Sequence, residues 1–352
     1  MTSPVELAGL RPRVDKALAA FLAEQRLRLT TIDPALADVS AALEDFVLGG
    51  GKRLRPAFAY WGFRGAGGVD ADAVVAAVSS LELVQASALI HDDLMDRSDT
   101  RRGIPSVHRR FEHQHRVSAW RGEPSAFGEC AAVLLGDLAL VWSDELLHGS
   151  GLGPAELARS RPVFDEMRTE VTVGQYLDVL TQAIGDRSLE RAGKVARFKA
   201  AKYTVERPLL FGAAIAGAPA EVEAAYTGFG LPLGEAFQLR DDILGVFGDP
   251  SQTGKPAGDD LREGKRTYLV AAAFAGLDEP SRAELDAGLG DPGLDVERLR
   301  ALIRDSGALA ATERRIADLM TASLAALAAA PIEEEARTVL HELADAATRR
   351  TV

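Results

Sequence analysis

The chain has a single cysteine, Cys130, so it can form no internal disulfide and cannot supply zinc-finger spacing. One lone thiol fits a reducing compartment, and a cytoplasmic location is the expectation. Basic residues are in the minority: 40 Lys and Arg face 52 Asp and Glu, a net charge of −12. That balance argues against nucleic acid as a partner, because gripping phosphate backbones needs a net basic surface. The N-terminus, MTSPVELAGLRPRV, lacks the apolar segment of a signal peptide. Long apolar runs are missing too. The longest stretch, Val74 to Ile90, is broken by Ser79, Ser80, Glu82, Gln85 and Ser87, whereas a membrane span wants ~20 mostly apolar residues. It reads as a buried helix, and no transmembrane segment is expected. β-Branched runs are few, and no Asn-Gly or Asp-Gly pair joins alternating segments, so no hairpin is expected. Neither a solenoid repeat nor a Pro/Gly-rich linker divides the chain.

What is present is helical. Hydrophobic residues reach 47%, enough for a sizeable core and too many for disorder. Apolar residues recur at helical spacing in Leu18/Phe21/Leu22/Leu29, in Ala131 to Leu147, and in Ile316/Leu319/Met320/Leu324/Leu327. Gly- and Pro-rich breaks leave room for roughly ten to thirteen helices. The 352 residues allow two domains or one large one. With no linker, the reading is one all-α domain, a single large bundle over 1–352.

Two helices carry chemistry. The first is predicted over 70–96 and ends in His91-Asp92-Asp93-Leu94-Met95-Asp96. Asp92 and Asp96 share a helix face, with Asp93 about 100° around. The second, around 230–247, ends in Phe237-Gln238-Leu239-Arg240-Asp241-Asp242, with Gly245 where a third acid would sit. Acids at a helix C-terminus oppose the helix dipole, so a counter-ion is called for. Clustered carboxylates suit Mg²⁺, which takes one or two of them plus substrate phosphates. A solvated acidic helix end is the alternative for either cluster alone. Bases lie close by. Gly50-Gly51-Lys52-Arg53-Leu54-Arg55 opens a helix, Arg101-Arg102 follows the first cluster, and Lys255, Lys265 and Arg266 follow the second. A polyphosphate bridged by Mg²⁺ would use both charges; surface salt bridging is the alternative.

The segments GGGKRLRP (49–56), LVQASALIHDDLMDRSDTRRGIPSVH (83–108), GQYLD (174–178), FKAAKY (198–203) and GEAFQLRDDILGVFGDPSQTGKPAGDDLREGKRT (234–267) occur in that order. Together they resemble the trans-isoprenyl diphosphate synthases, most nearly actinobacterial geranylgeranyl-type enzymes. The resemblance implies an all-α barrel of long helices around a deep apolar cavity, a homodimer, and Mg²⁺, three ions per site. It implies isopentenyl diphosphate and an allylic diphosphate (dimethylallyl, geranyl or farnesyl) as substrates. By the same resemblance, Asp92, Asp96 and Asp241 are the principal metal ligands, with Asp93 and Asp242 in support. Arg101, Lys199 and Lys255 match residues that grip the allylic diphosphate. Lys52, Arg55, Gln85 and Arg102 match the isopentenyl diphosphate site. Phe237 and Gln238 match residues beside the reacting carbons, Gln175 and Asp178 a polar pair at the cavity mouth, and Lys265 belongs with the substrate-binding set.

Three positions depart from the family pattern. Gly245 replaces an Asp, Ala200 replaces a common Thr, and Gln85 stands where many longer-chain enzymes carry His. Small side chains at Ser87 and Ala88, one turn before Asp92, with Val84 below them, predict a geranylgeranyl product; farnesyl or longer chains are the alternatives. A terpene cyclase, a non-catalytic partner subunit and an inert scaffold are the competing classes. The first is opposed by Asp241–Asp249, which does not fit a cyclase's second metal motif, and the second by the intact first motif. Other signals are discounted. Gly50-Gly51-Lys52 lacks the rest of a P-loop. His108, Glu112, His113 and His115 read as a partly exposed polar helix, not a metal site. Ala308 to Ala330 reads as core or subunit contact, and Arg349 and Arg350 as a frayed end.

Overall fold

A computed structural model describes residues 5–249, 258–291, 293 and 295–348. The opening helix, α1 (Val5–Ile32), buries Leu10, Val14, Leu18, Phe21 and Leu22 along one stripe. α2 (Ala37–Leu48) and α3 (Leu54–Gly65) follow, and α3 buries Tyr60, Trp61 and Phe63. α4 (Asp72–Met95) is central. It packs against α1, α3 and α6 (Pro124–His148), and most of its apolar residues from Val74 to Ile90 are buried. Three of the polar breaks in that run, Ser79, Ser80 and Glu82, are satisfied internally. Ser79 donates to Val75 O at 2.7 Å, Ser80 to Ala77 O at 2.6 Å, and Glu82 accepts from Arg53 at 2.7 Å. A polar group satisfied in this way costs little to bury.

Between α4 and α6 lie a short hairpin and α5 (Val107–Val117). α7 (Pro154–Ala183) is next. Then α8 (Leu189–Val195), a π-helical stretch (Ala196–Glu206) and α9 (Arg207–Ala216) run on without a break, since the junction residues stay in the right-handed helical region. α10 (Ala220–Phe247) begins earlier than the apolar pattern suggests and passes through Pro232. The remaining helices are α11 (Asp259–Arg262), α12 (Tyr268–Gly276), α13 (Glu279–Gly288), α14 (Val296–Asp305), α15 (Ala308–Ala329) and α16 (Glu334–Thr348). The larger core spans α1 to α10 with α16. A second core holds the far half of α10: Leu239, Ile243 and Val246 pack with Leu269, Phe274, Ile303 and Ile316. Those two cores fix the ends of α4 and α10.

The all-α expectation matches, with two corrections. Sixteen α-helical segments are present among the described residues, more than the breaks suggest, because the run 189–216 changes hydrogen-bonding pattern and the C-terminal part uses short helices. The hairpin was not expected either. Thr100 pairs with Pro105 and Arg101 with Ile104 across Arg102 (φ +53°) and Gly103 (φ +77°). Positive φ at both central residues is the geometry of a tight two-residue hairpin, here with Arg in the first place.

Two described helices, α4 and α6, are long and apolar enough to cross a membrane. The most apolar stretch of α4 is 72% buried within the fold, whereas that of α6 is 39% buried. α4 is therefore a core helix, and α6 leaves an apolar face open.

Candidate active site

The ends of α4 and α10 meet at a cavity of about 800 Å³. Asp92 stands on its wall. Its Oδ1 accepts from Gln175 Nε2 and from Lys199 Nζ, both at 2.9 Å, and Arg101 lies 3.6 Å from its Oδ2. Burial raises its carboxyl, but Lys199, Lys265 and Arg101 outweigh burial and hold it well below the usual carboxylate range. Asp96, one turn on, pairs with Lys265 Nζ at 2.8 Å. For Asp96 burial and the charge of Asp92 win over the two lysines, and its carboxyl is pushed up to about 6. Asp93 points elsewhere. It is buried and held by Arg101, whose Nε donates at 3.0 Å and whose Nη2 makes a second bond. This pair turns the Arg101 guanidinium toward Asp93, and Asp93 is not among the residues lining the cavity.

Lys199 comes from the π-helical stretch, 2.6 Å from Asp178 Oδ2 as well as close to Asp92. Between two carboxylates its ammonium is held charged, despite burial. π-Helical geometry inside helices often marks functional sites. The stretch is clasped by two glycines. A methyl group on Gly174 of α7 would come within 2.4 Å of Lys199 N, and one on Gly234 of α10 within 2.4 Å of Ala201 O. Backbone contact this close requires glycine at both places.

The second motif faces the first across the cavity. Phe237, Gln238, Asp241 and Gly245 line it. Asp242 is fully buried; its Oδ1 accepts from Gln238 Nε2 at 2.8 Å and its Oδ2 from Tyr268 N at 3.2 Å. Burial, opposed by the Gln238 bond and reinforced by Asp260 and Asp241, pushes its carboxyl up to about 8. Lys265 Nζ sits among Asp96, Glu263 at 2.6 Å and Asp260 at 4.0 Å.

The basic wall is built by the loop before α3. Gly50 (φ +110°) and Gly51 (φ +127°) bring the chain round. Arg53, itself at φ +52°, turns inward: it donates to Glu82, to Asp15 at 2.8 Å and to Val47 O at 2.8 Å. That anchor leaves Lys52 and Arg55 on the cavity wall, beside Gln85 and Arg102. Arg102 donates to Gly50 O at 2.7 Å, tying hairpin to loop. Arg55 donates to Thr204 at 2.8 Å and lies 4.3 Å over the Tyr203 ring. Three polar atoms here, Arg55 Nε, Gln85 Oε1 and Tyr203 Oη, are buried without a hydrogen-bond partner. Native folds rarely leave such atoms unmet, so they point to a polar ligand.

The predicted residues are thus largely brought together. Lys255 lies outside the described residues, as do Arg349 and Arg350. Ala88 lines the cavity with Leu89, whereas Ser87 and Val84 are buried and do not. α5 is partly exposed and polar, as expected, with His113 and Arg116 exposed, but it also has an inner face. His108, Glu112 and His115 are buried, Glu112 pairs with Arg109 and Arg116, and His115 faces Arg121 O. Sequence reasoning missed Arg53, Tyr203 and Asp260. All three sit inside the matched motifs, but nothing in the pattern says which way their side chains turn.

Among the described residues no three carboxylate, imidazole or thiol groups converge tightly enough to hold a metal unaided. The donors nevertheless fit a hard cation. Asp92 and Asp241 bring carboxylate oxygens to the cavity wall, while Asp96, one turn on, is not among the lining residues; substrate phosphate oxygens would complete an octahedron.

Residues 37–305 match the Polyprenyl synthetase family. The chain belongs to that family. The synthetase resembles a geranylgeranyl pyrophosphate synthase from Corynebacterium glutamicum, solved with isoprenyl diphosphate and magnesium, at 43% identity and a TM-score of 0.94; the match spans 97% of this chain and 99% of that one. It is 32% identical over 314 residues to a geranylfarnesyl diphosphate synthase from Aeropyrum pernix, covering 87% of this chain and 92% of that protein. A geranylgeranyl diphosphate synthase from Mycobacterium tuberculosis is 33% identical over 281 residues, 79% of this chain and 75% of that protein.

Proposed function

We propose that the cavity is the active site of a trans-prenyltransferase that joins isopentenyl diphosphate to an allylic diphosphate. The observation that carries this reading is the meeting of two acidic helix ends across a cavity whose rim is basic and whose walls are partly apolar. Asp92, Asp96 and Asp241 would hold Mg²⁺, with Asp242 behind Asp241 and Asp93 acting through Arg101. Bound Mg²⁺ would neutralise the allylic diphosphate and the charge that develops as its C–O bond breaks. Three ions per site is the finer proposal, which a metal titration with bound pyrophosphate would count.

Lys199 and Arg101 bring fixed positive charge to the allylic diphosphate, with Lys255 and Lys265 in the same set. Lys52, Arg55, Arg102 and Gln85 would take isopentenyl diphosphate, where the unmet polar atoms lie. Its double bond attacks the allylic carbon, and a proton leaves to the departing diphosphate. Phe237, Leu89, Val171 and Val195 give the reacting carbons an apolar wall that keeps water from the cation. Gln238 is held by Asp242 beside them, and Gln175 and Asp178 fix Asp92 and Lys199.

The product is proposed to be geranylgeranyl diphosphate, supported by the small Ala88 on the wall and by the likeness to the Corynebacterium enzyme. The whole chain, 1–352, is read as one catalytic domain working in the cytoplasm. A homodimer is supported by the open apolar faces of α6 (Val133, Leu134, Val141) and α7 (Val173, Tyr176), two helices joined by the Arg168–Asp144 ion pair. The direct test is incubation with Mg²⁺, isopentenyl diphosphate and each allylic diphosphate, followed by chromatography of the lipid product. Absence of an elongated diphosphate with every allylic partner would overturn the reading.

A further inference from the structure

Two of the helices that flank the cavity, α4 and α7, both run toward its mouth. α4 lines it with Gln85, Ala88 and Asp92, and α7 with Val171, Gln175 and Asp178, each set on one helix face. The bond from Gln175 Nε2 to Asp92 Oδ1, at 2.9 Å, fixes the register between the two. Equal steps back along both helices put Ala88 level with Val171, Val84 level with Met167, and Leu81 level with Phe164. The open wall ends at the second of these levels. Val84, Met167, Leu81 and Phe164 are each no more than 2% exposed, and none of them lines the cavity.

These levels bear on how long a chain the cavity admits. Met167 is two turns before Gln175, about 12 Å deeper at 1.5 Å per residue. Two isoprene units of about 5.4 Å each end just short of that depth, and any further unit must pass it. The neighbours of Met167 are poorly suited to give way. Val84 is β-branched and stiff at χ1. Phe164 is held between the Phe211 ring, 5.6 Å from its own, and the Arg168 guanidinium, 4.5 Å over its face. Met167 is unbranched and flexible, so it can change shape without moving the backbone. We infer that Met167 sets product length: its side chain closes the apolar end of the cavity and folds aside only as far as its size and flexibility allow. The inference rests on reading the cavity as a prenyltransferase site.

The test is chromatography of the products made by wild type, Met167→Ala and Met167→Ile from isopentenyl diphosphate and each allylic diphosphate with Mg²⁺. Alanine removes the barrier, and the main product is expected to lengthen by at least one isoprene unit. Isoleucine keeps the volume but is branched and stiff, and the main product is expected to shorten by at least one unit. A loss of packing alone would lower the melting temperature and leave product length where it is. If Met167→Ala elongates with the wild-type product distribution, the inference fails and the prenyltransferase reading stands. If wild type makes no elongated diphosphate with any allylic partner, that reading fails and takes the inference with it. Should Met167→Ala not fold, Met167→Ile decides: a shorter main product supports the assignment, and the wild-type distribution overturns it.

Discussion

Lys199 Nζ lies 2.9 Å from Asp92 Oδ1, although the two residues are 107 apart in the chain. The contact joins the end of α4 to the π-helical stretch and leaves a buried cation at the place proposed for the leaving diphosphate. Replacing Lys199 with Met removes that charge and keeps most of the volume. The expected result is a kcat lower by about 100-fold or more, the scale of losing one preorganised electrostatic donor. Steady-state kinetics with the allylic diphosphate checks it; a change below about threefold would remove Lys199 from the proposed role.

Metal removal gives a second prediction. Two diphosphates beside Asp92, Asp96 and Asp241 repel one another without a counter-ion. Excess chelator is expected to abolish product formation, and added Mg²⁺ to restore it. Full turnover in chelator would contradict the proposed chemistry.

Two substrate sites predict two kinetic signatures. Asp92→Ala, or Asp241→Ala, is expected mainly to lower kcat, since the charge they help stabilise develops as the bond breaks. Arg55→Ala is expected mainly to raise KM for isopentenyl diphosphate, because Arg55 lines the cavity with Gln85 and Tyr203, where the unmet polar atoms lie. An Arg55→Ala enzyme impaired only toward the allylic substrate would reverse the assignment.

Much of this site was legible in the sequence because the relevant residues are local. Asp92 and Asp96 lie a turn apart on one helix, and helical spacing alone puts them on one face. The buried helix around them followed from its apolar run. What stayed hidden depends on tertiary partners. Asp93 and Asp92 are chemically identical neighbours, and only the position of Arg101 separates the one that is sequestered from the one that faces the cavity. Arg53 and Arg55 likewise part ways because Glu82 and Asp15 lie on the inner side of the loop. The hairpin was missed because its first turn residue is Arg102, whose positive φ is held by the fold and by its bond to Gly50, with no help from side-chain preference.

Glu170 on α7 offers a test of folding electrostatics away from the reacting groups. It accepts from Arg207 at 2.6 Å and from Lys202 at 2.6 Å, bonds that tie α7 to the start of α9 and to the π-helical stretch. Burial raises its carboxyl, yet Arg207 and Lys202 together hold it below its ordinary value of 4.5. A carboxyl depressed by folding stabilises the fold above its unfolded pKa, and that contribution is lost as pH falls through the folded value. Glu170→Gln is expected to cost about 1–3 kcal/mol at neutral pH, the worth of hydrogen bonds to charged groups. The deficit should shrink below the ordinary value of 4.5. Denaturant melts at neutral and acid pH check this; a deficit that did not narrow in acid would mean the loss is one of packing.

Product length is the property most open to a single substitution. Ala88 lies four residues before Asp92, about 6 Å farther down α4 at 1.5 Å per residue. One helical turn, about 5.4 Å, is close to the length of an extended isoprene unit. Ala88 and Leu89 are on the cavity wall, facing Val171 and Val195, whereas Ser87 is 4% exposed and lies off the wall. A ring at 88 should therefore meet the growing chain, while a ring at 87 would have to be forced into closely packed interior. Ala88→Phe is expected to shorten the main product by at least one isoprene unit with metal dependence unchanged. Ser87→Phe is expected instead to destabilise the fold by about 1–3 kcal/mol, the usual cost of overpacking. Chromatography of the products from both variants, read beside their melting temperatures, separates these outcomes. If Ser87→Phe shortened the product and Ala88→Phe did not, the chain would grow along the other face of α4.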